Sequence, residues 1–326
     1  MSHEVETMAF VGSRGLPWHI GETKDRSREL DVLATAADML GYAGLDWTVS
    51  QRPIYVPAKD GSFKPVERFV SNTRDSDDLS LGIVKPAYHV LQNHDAFSLA
   101  DDIVDSGEAN YDTAGSLRKG AIVFLSMVIP AGIKVAGDPS EHELYLLISN
   151  GHDGRHGLNA AVTVVRTVCK NTLDAALGSS KTRFALRHRS GMEQRIGEAR
   201  KALGITFDYR DTFQQVASQM AKRTLVEREV EEILAKMFPL SEELSPARVD
   251  NSVYAGVLAN WKSSPTLDGI RGSSWGVYNA VTEYFDHIAD YRGGVATGKA
   301  DARTESILFG RTADIRGEAM KVLSKV

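Results

Sequence analysis

Apolar and polar positions alternate through much of the first half of the chain, with the two-residue period of β-strands. Trp47 to Val56 and Phe63 to Val70 are rich in β-branched and aromatic residues, and the four residues Lys59-Asp60-Gly61-Ser62 have turn chemistry. This combination predicts a β-hairpin. Residues Tyr111 to Asn150 predict further strands. The turn signals in that stretch are Arg118-Lys119-Gly120 and Ala131-Gly132.

Helical spacing is confined to two places in the first half and then dominates the second half. Ser27 to Tyr42 predicts one amphipathic helix, and Asn93 is a candidate N-cap for another. From Gly191 onward the apolar period is helical, and Trp275 to Tyr291 is the clearest segment. The pattern therefore predicts an α+β fold. An N-terminal, mostly antiparallel sheet with crossing helices would span residues 1–190, and a helical region, residues 191–326, would pack on it.

Composition indicates an ordinary folded protein, since 42% of the 326 residues are hydrophobic and 25% are charged. Cys169 is the only cysteine, so no intrachain disulfide is expected. Apolar runs fall well short of the roughly 20 residues that a membrane helix needs. The first residues carry Glu4 and Glu6 and lack a signal-peptide pattern. These features predict a cytoplasmic protein without a membrane partner.

Positive charge is concentrated in one segment, although the net charge of the chain is -5. Residues 166–201 hold nine basic and three acidic side chains. If Lys181 to Arg189 forms a strand, its cations share one face, and Phe184 and Leu186 lie on the other. Such a row, roughly 26 Å long, suits a phosphate backbone. A charged edge strand protected against aggregation is an equally good interpretation.

Two matches to catalytic motifs fail on their context. Gly293 to Lys299 fits the phosphate-loop pattern, but Ala300 stands where a Ser or Thr would bind magnesium. Gly272 to Gly276 fits the nucleophile-elbow pattern, but no convincing strand precedes it. We therefore predict no catalytic residue and no cofactor from these motifs.

The loop Gly151 to Gly157 contains His152, Asp153 and His156, which are residue types that bind metals. Its glycines would also let the backbone approach a phosphate, and a plain surface turn is a third interpretation. Cys169 follows an apolar strand pattern and is more typical of a small core residue than of a nucleophile.

Several segments spread along the chain resemble one protein family. They are Pro17-Trp18-His19-Ile20-Gly21, Tyr88-His89-Val90-Leu91-Gln92-Asn93, Gly151-His152-Asp153-Gly154, Val164 to Leu173 and Trp275 to Tyr284. Together they resemble the phage/plasmid-like protein family, a domain of unknown function. The resemblance implies a phage, prophage or plasmid context, in which non-enzymatic proteins often serve DNA replication or recombination. The expected architecture is also similar to that of phage single-strand annealing proteins of the Redβ and Erf type.

These observations lead us to expect a homo-oligomeric, single-stranded DNA-binding protein that promotes annealing or recombination in the host cell cytoplasm. We prefer this interpretation to an enzyme. Trp47 and Tyr55 are candidates for base stacking. The expected phosphate-binding residues are Arg166, Lys170, Lys181, Arg183, Arg187, Arg189, Arg118 and Lys119.

Two alternatives remain open at this point. The first is a metal-dependent enzyme acting on nucleotides or nucleic acid, using His152, Asp153 and His156 with Cys169 or Arg166. The second is a scaffold or inhibitor of a host protein that uses the acidic helix Glu227 to Glu232.

Overall fold

The fold is α+β, as the sequence predicts, with antiparallel sheets in the first half and helices in the second. The computed structural model describes residues 8–11, 27–30, 35–105, 107, 109–166, 171–173, 183–186, 206–240, 252–292, 299–308 and 310–326. The strands are β1 (Met8–Val11), β2 (Ser27–Leu30), β3 (Val49–Pro57), β4 (Phe63–Arg74), β5 (Ser80–Val84), β6 (Asn110–Leu117), β7 (Ile122–Ile133), β8 (His142–Gly151), β9 (Leu158–Arg166), β10 (Asn171–Leu173) and β11 (Arg183–Leu186).

Two sheets are formed by these strands. The larger sheet has the order β10-β9-β8-β7-β6-β1-β2, with β11 also paired to β9. β6 pairs antiparallel with β1 and β7, β9 pairs antiparallel with β10 and β11, and β1 and β2 are parallel. The smaller sheet is the antiparallel set β3-β4-β5. The predicted β-hairpin is thereby confirmed as the pair β3 and β4.

The described helices lie mostly in the second half of the chain, and two of them lie in the first half. They are α1 (Ala36–Tyr42), α2 (Asn93–Asp105), α3 (Thr206–Lys222), α4 (Glu227–Met237), α5 (Val253–Ser263), a 3-10 turn (Pro265–Leu267), α6 (Ser274–Glu283), a π-helix (Tyr284–Ile288), α7 (Lys299–Leu308) and α8 (Arg311–Leu323). In the described part of the chain, none of these helices is long and apolar enough to cross a membrane.

The single helix predicted over Ser27 to Tyr42 is wrong in its first part. Ser27–Leu30 is the strand β2, and the helix begins only at Ala36. Thr35 explains this start because its hydroxyl accepts from the Asp38 backbone N–H at 3.1 Å. The Asp38 carboxylate accepts in return from the Thr35 N–H at 2.9 Å, which completes a capping box.

Two predicted boundaries also differ from the structure. The turn predicted at Ala131-Gly132 lies inside β7, whose residues Ile129 and Ile133 are both buried on one face. Burial of both side chains favours continuing the strand past a weak turn signal. The helix predicted to reach Tyr291 changes at Tyr284 into a π-helix, which the Ala289 N–H closes by donating to the Tyr284 carbonyl five residues back.

The chain divides into two compact units, each built from separate segments. Unit 1 comprises residues 1–130, 146–161 and 183–204, and unit 2 comprises residues 131–145, 162–182 and 205–326. The sequence predicts a division at residue 190, which lies outside the described residues, so this boundary stays a prediction. Phe97 and Phe124 belong to the buried core of unit 1, and Phe213, Trp275 and Tyr278 to that of unit 2.

Candidate nucleic-acid interface

The predicted phosphate-binding cations are described to different extents. Arg118 and Lys119 are described with their side chains, in the turn between β6 and β7. For Arg183 in β11 and Arg166 in β9, the backbone is described, paired with Ala161 and Asn171 respectively. The proposed row is thus described only over its residues 183–186. Outside the described residues lie Lys170, Lys181, Arg187 and Arg189.

Arg118 and Lys119 occupy a backbone conformation that side-chain-bearing residues rarely adopt. Their φ angles are 52° and 59°, and Gly120 follows at 88°. We call residues Arg118–Gly120 the cationic turn. The left-handed conformation costs roughly 1–2 kcal/mol for a residue with a Cβ atom. Hairpin turns of this kind favour Asn and Gly. Arg118 and Lys119 therefore keep backbone strain in this turn, and strain of this kind is common at functional sites.

Arg74 and Trp47 hold the cationic turn from one side. Arg74 Nη1 donates to the Lys119 carbonyl at 3.2 Å, and its guanidinium lies over the Trp47 ring, 5.4 Å from the centroid. Two further hydrogen bonds join Arg74 to Asp77, at 2.8 and 2.6 Å, and lower the pKa of that carboxyl. A Cβ atom on Gly120 would lie 2.9 Å from Arg74 Nη1 and 3.1 Å from the Trp47 ring. Glycine is therefore needed at this position.

Asp153 joins the cationic turn to the loop Gly151 to Gly157. Its Oδ2 lies 3.5 Å from Arg118 Nη1, and the two side chains are 11% and 29% exposed. Its Oδ1 accepts from the backbone N–H groups of Arg155 and His156, each at 2.8 Å. The Lys119 and Arg155 side chains are exposed. The Asp153 carboxylate thus connects the Arg118 side chain to the backbone of the loop, and the nearby Lys119 and Arg155 side chains are available to solvent.

His152 is fully buried and belongs to the core of this region. Its Nε2 pairs with Asn93 Oδ1 at 2.8 Å, and its ring meets the Trp47 ring edge-on at 5.5 Å between centroids. Asn72 Nδ2 donates to the His152 carbonyl at 2.8 Å. Asn93 Nδ2 donates to the Leu45 carbonyl at 2.8 Å. Asn93 is the first residue of α2, and its side chain belongs to this buried hydrogen-bond network. Because the side chain is bound to these other partners, the prediction that Asn93 caps the helix is wrong.

Close backbone contacts fix the loop itself. A Cβ atom on Gly82 in β5 would lie 2.5 Å from Asp153 Cα, so β5 approaches the loop as only glycine permits. The Tyr88 hydroxyl donates to the Gly151 carbonyl at 2.8 Å, and burial raises the pKa of this phenol. The loop is thus packed against β5 and Tyr88, which distinguishes it from a free surface turn.

The proposed metal ligands are turned toward separate partners. His152 pairs with Asn93, Asp153 binds backbone N–H groups, and His156 Nε2 lies 2.9 Å from Ser149 Oγ. Within the described ranges, no group of three or more His, Cys, Asp or Glu residues is placed to hold a metal ion. Cys169 and the Arg166 side chain, which this alternative also uses, lie outside those ranges.

Neither catalytic motif supplies a described nucleophile. Ser274, the central serine of Gly272 to Gly276, is fully buried, and its hydroxyl donates to the Leu323 carbonyl at 2.5 Å. Ser273 caps α6 by accepting from the Gly276 N–H. Residues 293–298 of the phosphate-loop match are outside the described part of the chain.

The acidic helix α4 is partly neutralised by its neighbour α5. Lys262 Nζ lies 2.5 Å from a Glu227 carboxylate oxygen and 3.7 Å from one of Glu231. Arg228 also pairs with Glu232 within α4, at 2.9 Å. Exposed pairs of this kind reduce the acidic field that a basic host protein would meet.

The two aromatic candidates for base stacking have different environments. Trp47 is partly buried beneath Arg74, whereas the Tyr55 side chain on β3 is 53% exposed. Sequence reasoning missed Phe63 on β4, which is 70% exposed. The signal was available, since Phe63 directly follows the turn signal and its neighbours Lys64 and Pro65 are not core residues.

Comparison with known proteins gives one match. The family described as "Domain of unknown function (DUF932)" matches residues 80–308, which is more than half of the chain. No curated protein and no solved structure matches the chain significantly.

Proposed function

Because the chain belongs to the DUF932 family of unknown function, its activity must be inferred from its own residues, and we propose that it binds single-stranded DNA. In this proposal the protein acts as a homo-oligomer that promotes strand annealing or recombination. A phage or plasmid origin and action in the host cytoplasm belong to the same proposal. It names no catalytic residue, metal or cofactor.

The cationic turn is the observation that carries the proposal. Arg118 and Lys119 have left-handed backbone, Arg74 donates to the Lys119 carbonyl, and Asp153 connects Arg118 to the loop that carries the exposed Arg155. A stable turn requires neither cation, because Asn and Gly would form it with less strain. Phosphate binding gives a physical reason for both cations, since each phosphate neutralised by Lys or Arg releases bound counterions and raises affinity.

The test is the affinity of the full-length protein for a fluorescein-labelled oligothymidine, measured by anisotropy at several salt concentrations. Arg118→Ala with Lys119→Ala should weaken binding and lower the slope of log affinity against log salt by about 1.4, or about 0.7 for each lost phosphate contact. Lys236→Ala, an exposed cation on α4, is the matched control and should leave the slope unchanged. An unchanged slope in the double variant contradicts the assignment of the site.

A further inference from the structure

The end of the β3–β4 hairpin presents aromatic and proline side chains on one face. Pro57 pairs with Phe63, and Tyr55 pairs with Pro65, so these four residues share a face of the two-stranded ribbon. We call this face the aromatic tip. Tyr55 is 53% exposed and Phe63 is 70% exposed. Diagonal neighbours of this kind lie about 7–8 Å apart, which leaves each ring open to a separate planar partner.

The turn that carries the aromatic tip is well defined by hydrogen bonds. Asp60 Oδ1 accepts from the Ser62 backbone N–H at 3.0 Å and from its hydroxyl at 2.6 Å. The Ala58 N–H donates to the Ser62 carbonyl at 2.7 Å, and Gly61 adopts a φ of 82°. A platform fixed in this way loses little conformational entropy when a ligand binds.

Cations outnumber carboxylates around the same tip. The exposed charged side chains of the turn and of the first part of β4 are the cations Lys59, Lys64 and Arg68 and the carboxylates Asp60 and Glu67. Lys64 pairs with Val56 and therefore lies on the opposite face of the ribbon from the aromatic tip. Among the described residues, none of these three cations forms an ion pair with a carboxylate. They are consequently available to an anionic ligand, and their positive charge favours a polyanion over a neutral apolar partner.

We propose that the aromatic tip is a base-stacking site for single-stranded DNA, with Tyr55 and Phe63 as the stacking side chains and Lys59 and Arg68 as phosphate contacts. The proposal rests on the proposed function and adds the element that distinguishes an unpaired strand from a duplex. Bases of a duplex are already stacked, so exposed rings contribute only where bases are free.

The two sites can be joined by one strand of moderate length. Trp47, which contacts the cationic turn, and Tyr55 are eight residues apart along an extended chain, or roughly 26 Å. A stacked strand advances about 3.4 Å per nucleotide, so about eight nucleotides reach from the turn to the tip. This length falls within the site sizes of single-strand binding folds, about 4–16 nucleotides.

The test compares two 16-nucleotide probes, oligothymidine and a strand of the same length whose bases are replaced by abasic sites, with the full-length protein. Wild type should bind the abasic strand about 100-fold more weakly, as expected when two stacked bases are lost at about tenfold each. Phe63→Leu keeps an apolar side chain but removes the ring, and its preference should be about tenfold smaller, because Tyr55 still stacks one base. Phe63→Trp should retain the full preference. Because Phe63 is largely exposed, both variants should keep the wild-type melting temperature.

Each outcome is informative. If wild type binds oligothymidine but Phe63→Leu discriminates against the abasic strand as well as wild type does, the stacking site is wrong and the proposed function stands. If wild type binds neither probe at low salt, the proposed function itself fails. If Phe63→Leu binds both probes normally but no longer self-associates in light scattering, the tip is an interface between copies, which also overturns the stacking proposal.

Discussion

Replacing Lys119 by glycine should stabilise the protein and weaken DNA binding at the same time. Lys119 has a φ of 59°, a conformation that costs a residue with a Cβ atom roughly 1–2 kcal/mol. Glycine relieves this strain but loses about 0.5–1 kcal/mol through its greater freedom in the unfolded chain. The net expectation is a gain of about 0.5–1 kcal/mol in the free energy of unfolding. The lost cation should lower the salt slope on single strands by about 0.7.

Urea denaturation and anisotropy measure these two quantities separately. Lys119→Gly should raise the urea midpoint without changing the m-value. Lys119→Ala removes the same charge but keeps the strain, so it should weaken binding without stabilising the fold. Asp78→Gly is the matched control, because Asp78 also has a φ of 59° but carries a carboxylate. If Lys119→Gly stabilises the protein yet binds like wild type, the strain does not serve binding and the reasoning is refuted.

The remaining predictions concern side-chain packing within each of the two units. Gly82→Ala should destabilise unit 1 by about 1–3 kcal/mol through overpacking against the loop backbone, whereas Gly132→Ala, with nothing within 4 Å of the new Cβ atom, should be nearly neutral. Equal melting temperatures for these two variants would contradict the close contact. Arg316→Met removes the buried ion pair with Asp286, whose N–O distance is 3.1 Å, and should cost about 3–5 kcal/mol in thermal denaturation. Full stability of Arg316→Met would show that this pair is dispensable.

Local sequence signals predicted the elements whose geometry is set locally. The β3–β4 hairpin follows from alternation on both sides of the turn Lys59 to Ser62, and both signals lie within about 25 residues. β2 was missed because Ser27–Leu30 also fits helical spacing, and its strand form comes from parallel pairing with Met8–Val11. Pairing between distant segments leaves no trace in a local hydrophobic period.

The candidate site was predicted in its residue types but not in its geometry. Charge and a turn signal identified Arg118 and Lys119, yet their left-handed backbone follows from the hairpin and from the Arg74 contact. A loop available to metals was one of three interpretations of the segment that contains His152, and the burial of His152 depends on Asn93, 59 residues earlier in the chain. Side chains that meet across such separations cannot be paired from spacing in a single sequence.

Binding of single-stranded DNA by the wild-type protein, titrated with salt, tests the central claim most directly. The full-length chain should bind a 16-nucleotide oligothymidine at 50 mM salt, and log affinity should fall linearly with log salt concentration. The slope should be about -1.4 or steeper, because each of two phosphate contacts on a single strand contributes about -0.7. No binding at 50 mM salt, or an affinity that does not change between 50 and 300 mM, would contradict a role for the cationic turn in holding DNA.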